Sequence, residues 1–370
     1  GVKWAKYGDA LAAWVADMDF DPPEVVTEAL REIIDAGDLG YRFVAEPDEV
    51  FTDWQMSQHG WCPDPRRTKV FTTALHALET VLWNTTDPGD GVVVFMPIYH
   101  PFLHAIRDSG RRRVEVALDP FEWRLDVERL EAAIDDTTRL VLFCNPHNPT
   151  GRVFDREEIA AVAEVAERHD LLVVSDEIWG DLAFDKPHVP AALADERFAG
   201  RLVTISAASK SFNLAGLRCA VAHLDHPPFE DRLASMPGHI LGGPSSLGRT
   251  ATVAAWQHGQ PWLDAARTEI RARRDLLAER LSNELPEVGF AAPEGTYLGY
   301  LDLRRTGLGD DPAQRLLAEH RLALSPGHQF GDQGVGWARI NFATTEKILD
   351  LVVDRLVGAV SAAPGPDRPS

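Results

Sequence analysis

Cysteine is scarce: only Cys62, Cys144 and Cys219 occur in 370 residues, far apart and in no CxxC or zinc-ligand spacing. Their scatter excludes a disulfide-stapled fold and points to a reduced, cytoplasmic setting. Positive charge is also short, with 37 Lys and Arg against 57 Asp and Glu and a net charge of −20. So acidic a chain argues against nonspecific binding to nucleic acid or to anionic membranes. No apolar run reaches membrane-spanning length, and Gly1-Val-Lys-Trp4 shows no secretory h-region. Internal repeats and long linkers are absent too. What remains is ordinary for a globular enzyme, 45% hydrophobic and 25% charged, and long enough for a large core and two domains.

From the N-terminus, Trp4 to Phe20 is too apolar for a free tail and reads as an arm packed back on the body. Pro22-Pro23 then starts a helix whose Val25, Val26, Ala29, Leu30, Ile33 and Ile34 share one side, ending near Gly37. A second helical pattern runs from Thr73 to Asn84 and closes at the turn Asp87-Pro-Gly-Asp90. Strands and helices then alternate. Strands are expected at Val92–Phe95, Val114–Leu118, Arg139–Phe143, Leu171–Val174 and Leu202–Ile205, with helices at Phe102–Ser109, Val127–Ile134 and Arg156–His169. This alternation argues for a mostly parallel sheet covered by helices on both faces. Thr250 to Leu285 is helical with a break at Gly259 to Pro261. The remainder mixes strands (Tyr297–Leu303, Arg339–Phe342) with helices (Pro312–Glu319, Glu346–Val360), as in a smaller α+β domain.

Chemistry gathers in three strand-end loops, where open α/β sheets place their ligands. Cys144-Asn-Pro-His-Asn-Pro-Thr-Gly-Arg152 follows one strand, Ser175-Asp-Glu-Ile-Trp179 the next, and Ser206-Ala-Ala-Ser-Lys-Ser-Phe212 a third. Taken singly these read as a turn, a helix cap and a surface lysine. Together they offer an amide (Asn148), a carboxylate (Asp176) and an amine (Lys210), spaced by 28 and 34 residues. A desolvated lysine at such a place has a lowered pKa and becomes an amine nucleophile able to form a Schiff base with an aldehyde cofactor.

The chain resembles the fold-type I pyridoxal 5′-phosphate (PLP) enzymes of the class I/II aminotransferase family. It carries that family's Asn148-Pro-Thr-Gly151, Asp176, Ser209-Lys210 with Arg218 eight residues on, and Arg339-Ile-Asn-Phe342. Lys3-Trp4, Trp14-Val-Ala-Asp-Met-Asp-Phe20, Gly40-Tyr41, Pro97-Ile-Tyr-His-Pro-Phe102 and Phe212-Asn-Leu-Ala-Gly216 are similar to its MalY/PatB-type cystathionine β-lyase branch. The resemblance implies an aspartate-aminotransferase-like α/β fold. A large PLP-binding domain would span 35–265, a smaller domain 1–34 with 266–361, and a frayed tail 362–370. Lys210 would hold the cofactor aldehyde and move protons. Asp176 would pair with the pyridine nitrogen, Asn148 and Trp179 would face the cofactor oxygen, and Tyr99 would lie against the ring. Arg218, Ser209 and the amides at Ala74 and Leu75 would take the phosphate, joined by Tyr41 from the other subunit of a homodimer. Arg339, Ala16 and Asn148 would hold the substrate.

Four positions depart from the family pattern: Ala207 replaces a phosphate-binding serine, Ala74 a glycine, and Trp179 a tyrosine or histidine, while His328-Gln329 follows the late Pro-Gly. Three outcomes follow from the resemblance. The first is carbon–sulfur β-elimination of L-cystathionine or another cysteine S-conjugate to thiol, pyruvate and ammonia. The second is decarboxylation-coupled oxidative deamination, as in enzymes of lincosamide antibiotic biosynthesis, and the third is ordinary transamination. A metal is not expected, nor a nucleic-acid or membrane partner.

Overall fold

The computed structural model describes residues 1–40 and 46–363. Tyr41 and the tail from 364 onward lie outside the described residues. The central sheet has seven strands in the spatial order Thr68–Phe71, Ala220–Asp225, Leu202–Ser206, Leu172–Asp176, Thr138–Cys144, Gly91–Met96 and Arg112–Ala117. Only Ala220–Asp225 runs antiparallel to its neighbours; the strands beside it on the active side are parallel. Four of them, Gly91–Met96, Leu172–Asp176, Leu202–Ser206 and most of Thr138–Cys144, are buried throughout. That is the near-continuous apolar signature of parallel strands covered on both faces.

Helices Ala74–Thr85 and His100–Asp108 pack one face of the sheet with Leu78, Leu82, Phe102 and Ile106. Arg156–Arg168 packs the other with Ile159, Val162 and Ala166. A second, antiparallel sheet orders Ser325–Pro326, Trp337–Asn341, Leu298–Asp302 and Gly289–Phe290. The long helix Gln260–Glu284 and the last helix Glu346–Ala362 lie against it through Ile270, Leu277, Leu349 and Val353.

The N-terminal arm docks. Leu11–Ala12 pairs in parallel with Leu322–Ala323. Farther along, Asn341 Nδ2 donates to the Val15 and Asp17 carbonyls, each at 2.7 Å. Lys3 is buried and salt-bridged to Asp19 at 2.8 Å, which closes the arm on itself.

Several boundaries move. The first long helix is Glu24–Asp35, the helix after Tyr99 begins at His100, and the strands before the key loops run on to Cys144, Asp176 and Ser206. The last helix extends to Ala362, so position 362, expected in the tail, is helical. Among the elements that were not expected are the strands Thr68–Phe71 and Ala220–Asp225 and the helix Pro47–His59. Polar Lys69 and His223 interrupt the two strands, and the helix spreads its apolar Val50, Phe51 and Trp54 among acids and amides.

Candidate active site

Because Thr138–Cys144, Leu172–Asp176 and Leu202–Ser206 are adjacent and parallel, their carboxyl ends emerge side by side. Asp176 is the last residue of its strand, opposite Cys144 on one side and Ile205 on the other. Lys210 sits in the short helix Ala208–Ser211 that follows its strand, and Asn148 in the loop after Cys144. Arg339 reaches the same place from the middle of Trp337–Asn341 in the second sheet. All four line one cavity of about 640 Å³.

Among the described residues Lys210 Nζ has a single hydrogen bond, to the Ala16 carbonyl at 3.2 Å, and lies 5.6 Å from the Trp179 ring centroid. Its pKa falls to about 8, chiefly because burial penalises the ammonium; nearby Arg339 and Arg218 lower it further, against Asp17 and Asp176. The Asp176 carboxyl is pushed up to about 7 by the same cause, with Glu177 adding to the rise. Among the described residues its only hydrogen bonds come from the Ile178 amide at 3.3 Å and the Cys144 thiol at 3.8 Å.

Arg339 is 4% exposed. It donates to Asn148 Oδ1 at 3.0 Å, the Trp14 carbonyl at 2.9 Å and Ser325 Oγ at 3.2 Å, all neutral acceptors, and its Nε has no partner. Burial lowers its pKa to about 10.

A buried carboxyl with no cation at hydrogen-bond distance among the described residues, a desolvated amine and an arginine with no anion among them are costly in isolation. They fit a ligand that brings a cationic nitrogen, an electrophile and a carboxylate.

A second cavity of about 440 Å³ adjoins the first and shares Val15, Ala16, Tyr99, Asp176, Ile178 and Lys210 with it. Beyond that shared wall are Ser209, Arg218, Ala74 and Leu75. Ala74 and Leu75 open a twelve-residue helix, where backbone N–H groups have no intrahelical acceptor and favour an anion. Arg218 is held at φ +56° just after the turn Ala215–Leu217. This cavity suits a phosphate, and the aromatic ring it belongs to would lie at the junction beside Tyr99 and Ile178. Ala207 also lines it without a hydroxyl to offer. Thr72 and Thr73, which the sequence reading passed over, bring hydroxyls to the same wall.

Two positions differ in detail from expectation. Trp179, 1% exposed, turns its ring towards Lys210 and packs edge-on against Tyr297 at 4.8 Å, so it forms a wall. Ala16 offers its carbonyl to both Lys210 and the Tyr297 hydroxyl, the latter at 2.9 Å, so in this structure it positions the amine.

Tyr297, Trp14 and His100 were missed. No local pattern marks Tyr297, and Trp14, though it opens the Trp14–Phe20 run, is brought to the site by the arm's path. His100 stands beside Tyr99 and could have been suspected. It lines the large cavity with Nδ1 buried and unpartnered, and its pKa falls to about 4 through burial and then repulsion by Arg339 and His104.

The sequence pattern described as aminotransferase class I and II matches residues 53–356. The chain belongs to the class I and II aminotransferase family. Within it, the chain is 37% identical to cystathionine β-lyase PatB of Bacillus subtilis, over 97% of this chain and 96% of that one. The fold superposes on the PLP-bound C–S lyase of Staphylococcus hominis with a TM-score of 0.92 at 27% identity, covering 98% and 96% of the two chains. A double mutant of Thermus thermophilus aspartate aminotransferase aligns with a TM-score of 0.86 at 28% identity, covering 95% and 92%. The family's aspartate-aminotransferase-like α/β fold is therefore the fold of this chain.

Proposed function

We propose that this chain is a PLP-dependent carbon–sulfur β-lyase that cleaves L-cystathionine or another cysteine S-conjugate to a thiol, pyruvate and ammonia. The observation that carries the reading is the meeting of Lys210, Asp176, Asn148 and Arg339 in one cavity, in a chain 37% identical to a cystathionine β-lyase. Bound PLP supplies an aldehyde and a cationic ring that withdraws electrons from the substrate α-carbon.

The chain's own residues do the rest. Asp176, buried and without a cation at hydrogen-bond distance among the described residues, would pair with the ring nitrogen and favour its protonated form. Arg339 anchors the substrate carboxylate with a planar fork, which fixes the orientation of the α-carbon bonds. The Lys210 amine, desolvated and largely neutral above about pH 8, would take the α-proton. Trp179 and Tyr297 wall the site against water on that side. Arg218, Ser209 and the amides of Ala74 and Leu75 would hold the phosphate.

A cofactor-holding body over 35–265, a lobe of 1–34 with 266–361, a homodimer completed by Tyr41 and a cytoplasmic setting belong to the same reading. The family resemblance supports them, and for the lobe so does the pairing of Leu11–Ala12 with Leu322–Ala323. Trp179 and Ala207 favour a second reading, a specialised member that decarboxylates and oxidatively deaminates a cysteine S-conjugate in natural-product biosynthesis.

Incubation with S-substituted L-cysteines tests the choice through four products. Thiol with equimolar pyruvate is expected. Carbon dioxide and peroxide without pyruvate would replace the lyase by the oxidative reading, and amino transfer to a keto acid would replace it by an aminotransferase.

A further inference from the structure

The large cavity extends past the catalytic groups. At about 640 Å³ it has the size of sites that enclose a drug-sized ligand, and the phosphate has a cavity of its own. Its outer wall is the arm residues Lys6, Tyr7 and Trp14 on one side and Asp311, Gln314 and His328 on the other. The acid on that wall is already engaged. Asp311 caps the helix Pro312–His320 by accepting from the Gln314 amide at 3.0 Å, and it lies 3.6 Å from His328 Nδ1.

Lys6 is different. Its Nζ stands 4.5 Å from the Trp14 ring centroid and 5.0 Å from that of Tyr7, and among the described residues it has no carboxylate partner. Tyr7 and Trp14 meet edge-on at 5.4 Å and form a platform that holds the ammonium without neutralising it. The backbone carbonyl of the same Trp14 accepts from Arg339. Two cations therefore flank one tryptophan, Arg339 inside and Lys6 at the mouth. In a protein of net charge −20, a lone cation at a cavity mouth is a local reversal of field that favours an anion.

Resting on the lyase reading, we propose that Lys6, on the Tyr7–Trp14 platform, selects cysteine S-conjugates whose sulfur substituent ends in a carboxylate. Arg339 takes the α-carboxylate and Lys6 the distal one.

The test compares S-(3-carboxypropyl)-L-cysteine with its neutral isostere S-(3-carbamoylpropyl)-L-cysteine on the PLP-loaded enzyme, at low and at high salt. An exposed ion pair of about 1 kcal/mol corresponds to about fivefold. The wild type should favour the carboxylate by that factor, mainly through KM, and salt should shrink the preference. In Lys6→Met the ratio should fall to near one, and Lys6→Arg should restore it. Calorimetric binding of 4-[(2-carboxyethyl)thio]butanoate, which has no amino group and cannot react, should weaken in Lys6→Met by the same factor. Equal use of both substrates by the wild type, or an unchanged ratio in Lys6→Met, would overturn the proposal. Release of thiol from neither substrate would overturn the lyase reading and the subsite together.

Discussion

Arg339→Lys probes the proposed substrate anchor. The guanidinium is held by Asn148, the Trp14 carbonyl and Ser325, so its remaining donors are aimed before any substrate arrives. Lysine keeps the positive charge but replaces the fork by a point, and an ammonium desolvated at this depth tends to lose its proton. The loss amounts to one charge-assisted hydrogen bond, about 1.5–3 kcal/mol. That converts to about a 10- to 150-fold fall in kcat/KM. Arg339 lines the cavity of about 640 Å³ and not the one proposed for the phosphate, so PLP affinity should stay within about threefold. Steady-state elimination from an S-alkyl cysteine, with PLP titrated separately, measures both quantities. A kcat/KM unchanged within twofold, or a loss of PLP affinity equal to the loss of activity, would refute the assignment.

Asp176→Asn should stabilise the cofactor-free protein against heat relative to wild type, increasingly as pH rises. The carboxyl's folded pKa, about 7, lies above its unfolded value. Its contribution is therefore neutral at low pH and becomes a penalty as pH climbs from the unfolded value to about 7, levelling above that. A melting-temperature difference that stays flat between pH 4 and 8 would contradict this. The association rate of PLP with cofactor-free protein should rise with pH around a midpoint near 8, because the Lys210 amine must be neutral to attack; stopped-flow absorbance reads it, and a rate falling over this range would count against it. Gly151→Ala should lower the unfolding free energy by roughly 1–3 kcal/mol and raise KM. Gly151 has φ +71°, a Cβ there would stand 2.2 Å from Pro293 Cβ, and the residue belongs to the loop that carries Asn148. Denaturant unfolding checks the first effect, and an unchanged midpoint would contradict it.

The alternation of apolar runs made the parallel sheet legible, because strands buried on both faces read as unbroken hydrophobic stretches such as Val92-Val-Val-Phe95. The short strands Thr68–Phe71 and Ala220–Asp225 were not legible, since their identity depends on pairing with each other and with Leu202–Ser206. The same division holds in the cavity. Asn148, Asp176 and Lys210 announce themselves as polar residues at strand ends. Tyr297 and Trp14 join only through tertiary approach, and the Ala16 carbonyl becomes an acceptor for Lys210 only because the arm folds across the cavity. Trp179 was legible as a departure from the family pattern but not as a wall, since its orientation is set by packing against Tyr297.

The central claim is that Lys210 is the amine that takes the cofactor in a site shared with Asp176, Asn148 and Arg339. Borohydride reduction of the PLP-loaded protein, followed by peptide mass spectrometry, tests it most directly. The account predicts the pyridoxyl mass on the peptide containing Lys210, and its disappearance in Lys210→Ala together with thiol release. The label on any other lysine, or its persistence in Lys210→Ala, would contradict the account.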